Sequence, residues 1–316
     1  MKRDPASSFR QNRNALLLEI LEMTVEKSRI LCYSIRLKSQ PEKGMFLMDL
    51  KDRTAVQLWC GTPPAGESDP EQIPVITPYA PPVWKKNHRA LVIFPGGGYT
   101  ALAQYEGYGF AEYFCEQGYY CFVVNYRLGK DLGKGGCHYP AQLSDAARAV
   151  RLVRSWADEL GYRTDKIGVI GSSAGGHLAA SVSILPQLGL ILPEEGDVAK
   201  ISSRPDFTIL CYPVITLGKY THQGTRMNLL GEHFDPADEK RLSLENSINE
   251  KTPPAFLYHR LGDTAVPCEN SIMYARALRK HGIPFELHIY EKGNHGGALA
   301  QGHPWVAEAL RWIETL

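Results

Sequence analysis

The sequence lacks the features that mark several large classes of protein. Its seven cysteines include no C-x-x-C pair, and Cys121 and Cys211 stand inside apolar runs, as reduced core cysteines do. The formal net charge is only +1 and no basic block occurs, which predicts neither a nucleic-acid partner nor an acidic membrane surface. No apolar run is long enough to span a membrane.

The first residues also lack a secretory signal. They are basic, but the apolar run 15–23 is interrupted by Glu19 and Glu22, so it does not form the apolar centre of a signal peptide. A cytoplasmic protein is expected. Residues 1–44 carry apolar residues at helical spacing and are predicted to be a helical extension. Three alternatives stay open: it packs on the main domain, it pairs with a second subunit, or it belongs to a mis-assigned start, with Met45 or Met48 as the initiator. A homo-oligomer therefore stays open.

The remaining residues, 45–316, are predicted to form one domain in which strands and helices alternate. Strands are expected near 54–58 and at 90–94, 120–126, 167–170, 206–213, 254–261 and 284–290; helices are expected near 107–117, 140–160, 268–281 and 304–315. This order predicts a mainly parallel sheet with helices on both faces. The segment 74–83 is rich in proline and no strand is expected there. Residues 214–253 break the rhythm and are predicted to be a small cap insertion.

One stretch combines a strand, a glycine-rich turn and a helix. After the apolar run 167–170 comes G-x-S-x-G, with Ser173 between Gly171 and Gly175. This is the pattern of a nucleophile elbow, in which a strained turn exposes a serine hydroxyl and the close approach of strand and helix leaves no room for side chains at the two glycines. Ser172 is the rival nucleophile, but an isoleucine lies two residues before it. Ser173 is therefore predicted to be the nucleophile.

A serine nucleophile needs a base, and the base needs an acid that orients it. Asp263 follows the strand 254–261, and His295 lies between glycines in the loop beyond the strand 284–290. The chain order serine, acid, histidine is the one expected for this arrangement. Asp263 and His295 are predicted to complete a triad. Three other histidines are predicted to have packing roles: His177, His259 and His288.

Donors for a developing oxyanion are expected from backbone N–H groups. Ala174 directly follows the predicted nucleophile, and Gly97 and Gly98 follow the strand 90–94, where glycine lets the backbone approach a substrate. The next residue, Tyr99, is predicted to contact the substrate and narrow the acyl side, with inward packing as the alternative. Together with the polar cap, this favours short acyl chains over lipid tails.

Five motifs carry a resemblance to a known family: PGGGY at 95–99, NYRL at 125–128, GSSAGGHLA at 171–179, LGDTAVP at 261–267 and GNHGG at 293–297. They resemble the α/β-hydrolase superfamily, and within it the bacterial acetyl xylan esterase-like and feruloyl esterase-like enzymes, near the hormone-sensitive-lipase type. The resemblance covers about residues 48–316. Pro95 departs from the lipase type, which has histidine before its glycines.

The motifs and the resemblance together predict a serine esterase. Its expected substrates are small acyl esters, above all acetyl esters of carbohydrate such as xylan-type oligosaccharides, and no cofactor or metal is implied. Two alternatives stay open: a peptidase or amidase that uses the same triad, and a non-catalytic hydrolase-like binding protein.

Overall fold

One eight-stranded sheet forms the frame of the molecule. The structure, a computed structural model, describes residues 53–65, 71–129, 136–194, 196–299 and 303–316, so the predicted extension 1–44 lies outside the described residues. The strands are β1 Val56–Gln57, β2 Val75–Tyr79, β3 Ala90–Phe94, β4 Tyr120–Asn125, β5 Ile167–Ser172, β6 Phe207–Cys211, β7 Ala255–Arg260 and β8 Phe285–Tyr290. Their spatial order is β1-β2-β4-β3-β5-β6-β7-β8.

Strand direction puts the loops that carry the site at one edge. The β1–β2 and β2–β4 pairs are antiparallel, and all pairs from β4 through β3 and β5 to β8 are parallel. The carboxyl ends of β3, β5, β6, β7 and β8 therefore lie side by side, where open α/β sheets bind ligands. The predicted mainly parallel sheet is confirmed.

Helices cover both faces of this sheet. They are α1 Gln104–Glu116, α2 Ala141–Ser155, α3 Ala157–Leu160, α4 Ser173–Ile184, α5 Gln223–Leu230, α6 Pro236–Arg241, α7 Glu269–Lys280 and α8 Trp305–Glu314. Because successive strand residues point to opposite faces, Leu91 and Ile93 enter the core beneath α1 and α8, whereas Val92 and Phe94 enter the core beneath α2, α4 and α7.

Two local predictions were wrong. The Pro-rich segment 74–83 contains strand β2, and the helix predicted over 140–160 ends at Ser155 and resumes as α3 after Trp156.

The insertion 214–253 contains α5, α6 and a 3₁₀ turn at Leu244–Asn246. Within the described ranges, no helix is both long and apolar enough to cross a membrane.

Candidate active site

Ser173 lies at a sharp turn between β5 and α4. Its φ of +54° is in the left-handed region, where a residue with a Cβ is strained. A Cβ added at Gly171 would lie 2.1 Å from the Gly175 carbonyl oxygen, and one added at Gly175 would lie 2.1 Å from the Phe94 oxygen. The close contact explains both glycines and brings the end of β3 against the turn. Ser172 is fully buried at the end of β5.

The three residues predicted as a triad form one line of hydrogen bonds. His295 Nε2 lies 2.8 Å from Ser173 Oγ, and His295 Nδ1 lies 2.7 Å from Asp263 Oδ2. Because a carboxylate only accepts, Nδ1 carries the proton and Nε2 is free to accept one from the serine. The Asp263 side chain is 1% exposed and the His295 side chain 26%, so solvent or substrate reaches the imidazole but not the acid.

Asp263 is held as a carboxylate by the loop that carries it. Its Oδ1 accepts hydrogen bonds from the backbone N–H groups of Ala265 and Val266, at 3.1 and 2.9 Å. His259 Nε2, which donates to the Val266 oxygen, lies 3.5 Å from Oδ2. Burial by itself would raise the pKa of Asp263, but the bonds from His259, His295 and Val266 outweigh it and hold that pKa well below its usual range.

The loop that carries His295 is fixed by a buried arginine that sequence reasoning missed. Arg260, at the end of β7, is 1% exposed, and its Nη1 donates to the carbonyl oxygens of Asn294 and Gly296, both at 2.7 Å. These two residues flank His295. One guanidinium thus holds the backbone on both sides of the imidazole.

The glycine loop after β3 offers unused backbone donors beside Ser173. Gly97 and Gly98 have φ values of +123° and +65°, a conformation that favours glycine. A Cβ added at Gly96 would lie 3.2 Å from Ser173 Cβ, so the loop lies directly against Ser173. Among the described residues, no backbone hydrogen bond uses the N–H of Gly97, Gly98 or Ala174. Free donors beside a nucleophile are what an oxyanion hole requires.

Tyr99 is not brought to the surface of the site. Its side chain is fully buried, its hydroxyl lies 3.0 Å from His177 Nδ1, and its ring packs edge-on against Tyr126. His177 Nε2 donates to the Leu242 oxygen at 2.9 Å, so Nδ1 is the acceptor and the Tyr99 hydroxyl donates. This geometry favours inward packing, the alternative weighed for Tyr99. Burial lowers the pKa of His177 to about 4, although its bond to Leu242 opposes the shift.

The insertion 214–253 contacts both Ser173 and the glycine loop. Val214 N–H donates to the Ser173 carbonyl oxygen at 3.0 Å, and Asn228 Nδ2 donates to the Gly98 oxygen at 2.8 Å. His222 accepts the Thr225 N–H at the start of α5, and its Cε1 would lie 3.9 Å from a Cβ at Gly98. Burial and the charge of His295 lower the pKa of His222, with Asp263 opposing.

Glu106 and Tyr212 form a second buried group that the sequence did not indicate. Glu106 is 2% exposed; its Oε2 accepts the Gly96 N–H and its Oε1 accepts the Tyr212 hydroxyl, both at 2.8 Å. Burial raises the pKa of this carboxyl, and the bonds from Tyr212 and Gly96 limit the rise.

No cluster of His, Cys, Asp and Glu side chains suited to a metal occurs in the described part of the chain.

A profile of the BD-FAE family matches residues 77–278, more than half of the chain. The chain belongs to the BD-FAE family. The α/β-hydrolase fold predicted from the sequence is confirmed, as is the resemblance to acetyl xylan esterase-like enzymes.

Three similar proteins illustrate this membership. Endo-1,4-β-xylanase B of Butyrivibrio fibrisolvens is 36% identical over 212 residues, which are 66% of this chain and 32% of that protein. An acetylxylan esterase of Xylanibacter ruminicola is 32% identical over 238 residues, 72% of this chain and 46% of the other. The crystal structure of an acetyl ester-xyloside bifunctional hydrolase from Caldicellulosiruptor lactoaceticus has a TM-score of 0.74 at 38% identity and covers 83% of this chain and 96% of that one. The chain thus spans about a third of the length of one curated relative and about half of the length of the other.

Proposed function

We propose that this chain is a serine esterase that removes short acyl groups, above all acetyl, from carbohydrate esters of the xylan type. The observation that carries the proposal is the continuous line from Ser173 Oγ through His295 to Asp263, at 2.8 and 2.7 Å. Two similar proteins support the substrate class, since their names are acetylxylan esterase and acetyl ester-xyloside hydrolase.

In the proposed reaction, Ser173 Oγ attacks the ester carbonyl carbon while His295 Nε2 takes the serine proton. The oxyanion that forms accepts hydrogen bonds from the N–H groups of Gly97, Gly98 and Ala174. Collapse of this intermediate breaks the bond to the alcohol oxygen, which leaves with the proton from His295. Water then attacks the acyl-serine with His295 again as base, and acetate leaves as Ser173 regains its proton. Asp263 keeps the proton of the neutral imidazole on Nδ1 and stabilises the imidazolium.

The cap insertion 214–253 is proposed to form part of the substrate entrance. Support comes from its two contacts with the site, Val214 on Ser173 and Asn228 on Gly98, and from the part-buried His222 beside the glycine loop. Exchange of this segment for that of a related esterase should change the preference among alcohol groups more than the rate of labelling by a fluorophosphonate. An unchanged preference would contradict the role.

The experiment for the proposed function compares two adjacent serines. Ser173→Ala is expected to abolish hydrolysis of acetylated xylo-oligosaccharides and nitrophenyl acetate, together with fluorophosphonate labelling, because it removes the nucleophile. Ser172→Ala is the matched control and should keep most of both. Activity on peptide or anilide substrates above that on esters would support the amidase alternative. A folded wild type that neither labels nor turns over any ester would support the binding-protein alternative.

A further inference from the structure

Glu106 is a buried acid that takes no part in the proton transfer described above, although it lies within the electrostatic reach of His295. It belongs to the first turn of α1, on the side that faces the sheet. Among the described residues it has no cationic side chain as a partner within salt-bridge distance. Its carboxylate is instead bound by neutral donors: the Gly96 N–H and the Tyr212 hydroxyl each donate to one oxygen, and the Tyr105 hydroxyl further lowers the pKa of the carboxyl. A buried carboxylate without a cation is costly, so its retention calls for a reason.

One of its two bonds holds the glycine loop. Gly96 directly precedes Gly97 and Gly98, and a Cβ added at Gly96 would lie 2.4 Å from Glu106 Oε2, 2.8 Å from the Ser172 oxygen and 3.2 Å from Ser173 Cβ. The backbone at Gly96 is therefore enclosed between the carboxylate and the nucleophile turn. The Glu106 bond fixes the direction of the peptide that leads into the free N–H groups of Gly97 and Gly98.

The other bond leads to the loop that carries His295. The Tyr212 hydroxyl donates to Glu106 Oε1 and accepts the Ala298 N–H at 3.2 Å. The Tyr212 ring meets the His295 ring edge-on, with centroids 5.2 Å apart at 75°. Its φ of +38° is a strained conformation that the surrounding contacts must hold in place. Glu106 is thus the point at which the oxyanion side and the histidine side of the site are joined.

We propose that Glu106 is a positioning residue that sets the oxyanion donors and, through Tyr212, the His295 loop in register with Ser173. The proposal rests on the proposed esterase function and deepens it. A carboxylate is required because both partners donate, and it offers an acceptor oxygen to each. A glutamine accepts through one oxygen only. Its amide would face the Tyr212 hydroxyl, which already accepts the Ala298 N–H.

The test compares Glu106→Ala, Glu106→Gln and Tyr212→Phe with Glu116→Gln, an exposed acid on the same helix. Misplacement of catalytic groups by about 1 Å costs up to about 100-fold. For Glu106→Ala we expect kcat on nitrophenyl acetate to fall about 30- to 100-fold, whereas KM should change less than about 3-fold. An alkylboronic acid forms a tetrahedral adduct on the serine. Its affinity should fall in parallel with kcat.

The conservative variants separate the effect of the Glu106–Gly96 bond from that of the Glu106–Tyr212 bond. Glu106→Gln keeps an acceptor for Gly96 and should recover part of the boronate affinity. Tyr212→Phe should lower kcat with a smaller loss of boronate affinity. The double variant Glu106→Ala/Tyr212→Phe should have a kcat no lower than that of Glu106→Ala alone, since both changes break the same group of hydrogen bonds. The control Glu116→Gln should match the wild type in kcat and boronate affinity. Glu106→Gln and Glu106→Ala variants that fold and keep kcat and boronate affinity within about 2-fold of the wild type would overturn the proposal.

A measurement without turnover separates this proposal from the esterase function. Amide hydrogen exchange over 95–103 should be faster in Glu106→Ala than in the wild type and Glu116→Gln, because the Gly96 anchor is lost. Unchanged exchange there would contradict the positioning role even if the enzyme is active. A wild type without ester turnover or fluorophosphonate labelling, but with faster exchange in Glu106→Ala, would refute the esterase function and leave the anchor supported.

Discussion

The titratable groups on the two sides of Ser173, called its flanks, have pKa shifts of opposite kinds: one flank favours a charged acid, and the other favours neutral forms. The acid–base flank consists of Asp263 and His295, and its acid has a pKa held well below the usual range because three hydrogen-bond donors outweigh burial. The oxyanion flank consists of the glycine loop 96–98 and the buried side chains behind it, which are Tyr99, Glu106 and His177. Burial raises the pKa values of Tyr99 and Glu106 and lowers that of His177, so all three shift toward the neutral form.

The difference follows from what each flank must do in the proposed reaction. The acid–base flank has to stabilise a positive imidazolium while the proton is in transit, so a fixed negative charge next to it is useful. The oxyanion flank has to present backbone dipoles to a negative oxygen, and a fixed negative charge facing that oxygen would repel it. Burial that disfavours charge at Tyr99 and His177 suits this second task, and the charge of the Glu106 carboxylate is offset by the bonds from Gly96 and Tyr212. The two flanks should therefore respond differently to substitution.

Among substitutions that leave Ser173 in place, the largest effect is expected from Asp263→Asn. The asparagine oxygen can still accept the Val266 N–H, but its amide would face His295 Nδ1 and force the imidazole proton onto Nε2, where it blocks acceptance from Ser173. We expect kcat on nitrophenyl acetate to fall about 10³- to 10⁴-fold. Glu291→Gln, on the exposed surface of the loop before His295, is the control and should be near wild type. Turnover of Asp263→Asn close to wild type would mean that another group orients His295.

The acid–base flank could be foreseen from the sequence because each residue follows a strand whose apolar run is easily recognised. Ser173, Asp263 and His295 occur in chain order at three such strand ends, and the structure brings them into hydrogen-bond contact. The strand bounds agree to within two residues with those predicted for β3 to β8.

The buried residues that hold the two flanks in place could not be predicted from the sequence. Arg260 and Glu106 are charged residues in a strand and a helix, and such residues are usually exposed; their burial depends on contacts with residues 34 and 106 positions away. Strand β2 was missed because it contains Pro78. The proline is tolerated since β1 pairs only with Val75 and Ile76, so the Pro78 end of β2 has no neighbour on that side among the described residues.

His177, on the oxyanion flank, should lower the free energy of unfolding at acid pH. Its folded pKa of about 4 lies below the value near 6.5 of an unfolded histidine. The unfolded chain therefore binds the proton more tightly, and stability that is complete above about pH 6.5 is lost as the pH falls toward 4. For this fully buried group the loss between about pH 7.5 and about pH 5 is about 2 kcal/mol.

Urea unfolding at the two pH values measures this contribution. His177→Gln can still donate to the Leu242 oxygen and accept from Tyr99, but it does not titrate. The variant should lose about 2 kcal/mol less than the wild type between the two conditions, with ester turnover at neutral pH largely retained. His281→Gln, on the exposed end of α7, serves as the matched control. An equal pH dependence in His177→Gln and the wild type would show that His177 is protonated as readily in the folded state as in the unfolded one.

The smallest catalytic effect is expected at Tyr99. If its side chain narrowed the acyl side, shortening it would admit longer chains; yet the side chain is fully buried against Tyr126 and His177. Tyr99→Phe should cost about 1 kcal/mol of stability through loss of the hydroxyl bond to His177. Tyr99→Leu removes more volume and should cost more. In both variants the ratio of kcat/KM for nitrophenyl acetate to that for nitrophenyl octanoate should stay within about 2-fold of the wild type, because no substrate-facing surface changes. A selective rise of octanoate turnover in Tyr99→Leu would instead place Tyr99 at the wall of the acyl pocket and would make the oxyanion flank, rather than the cap, the part of the molecule that sets acyl length.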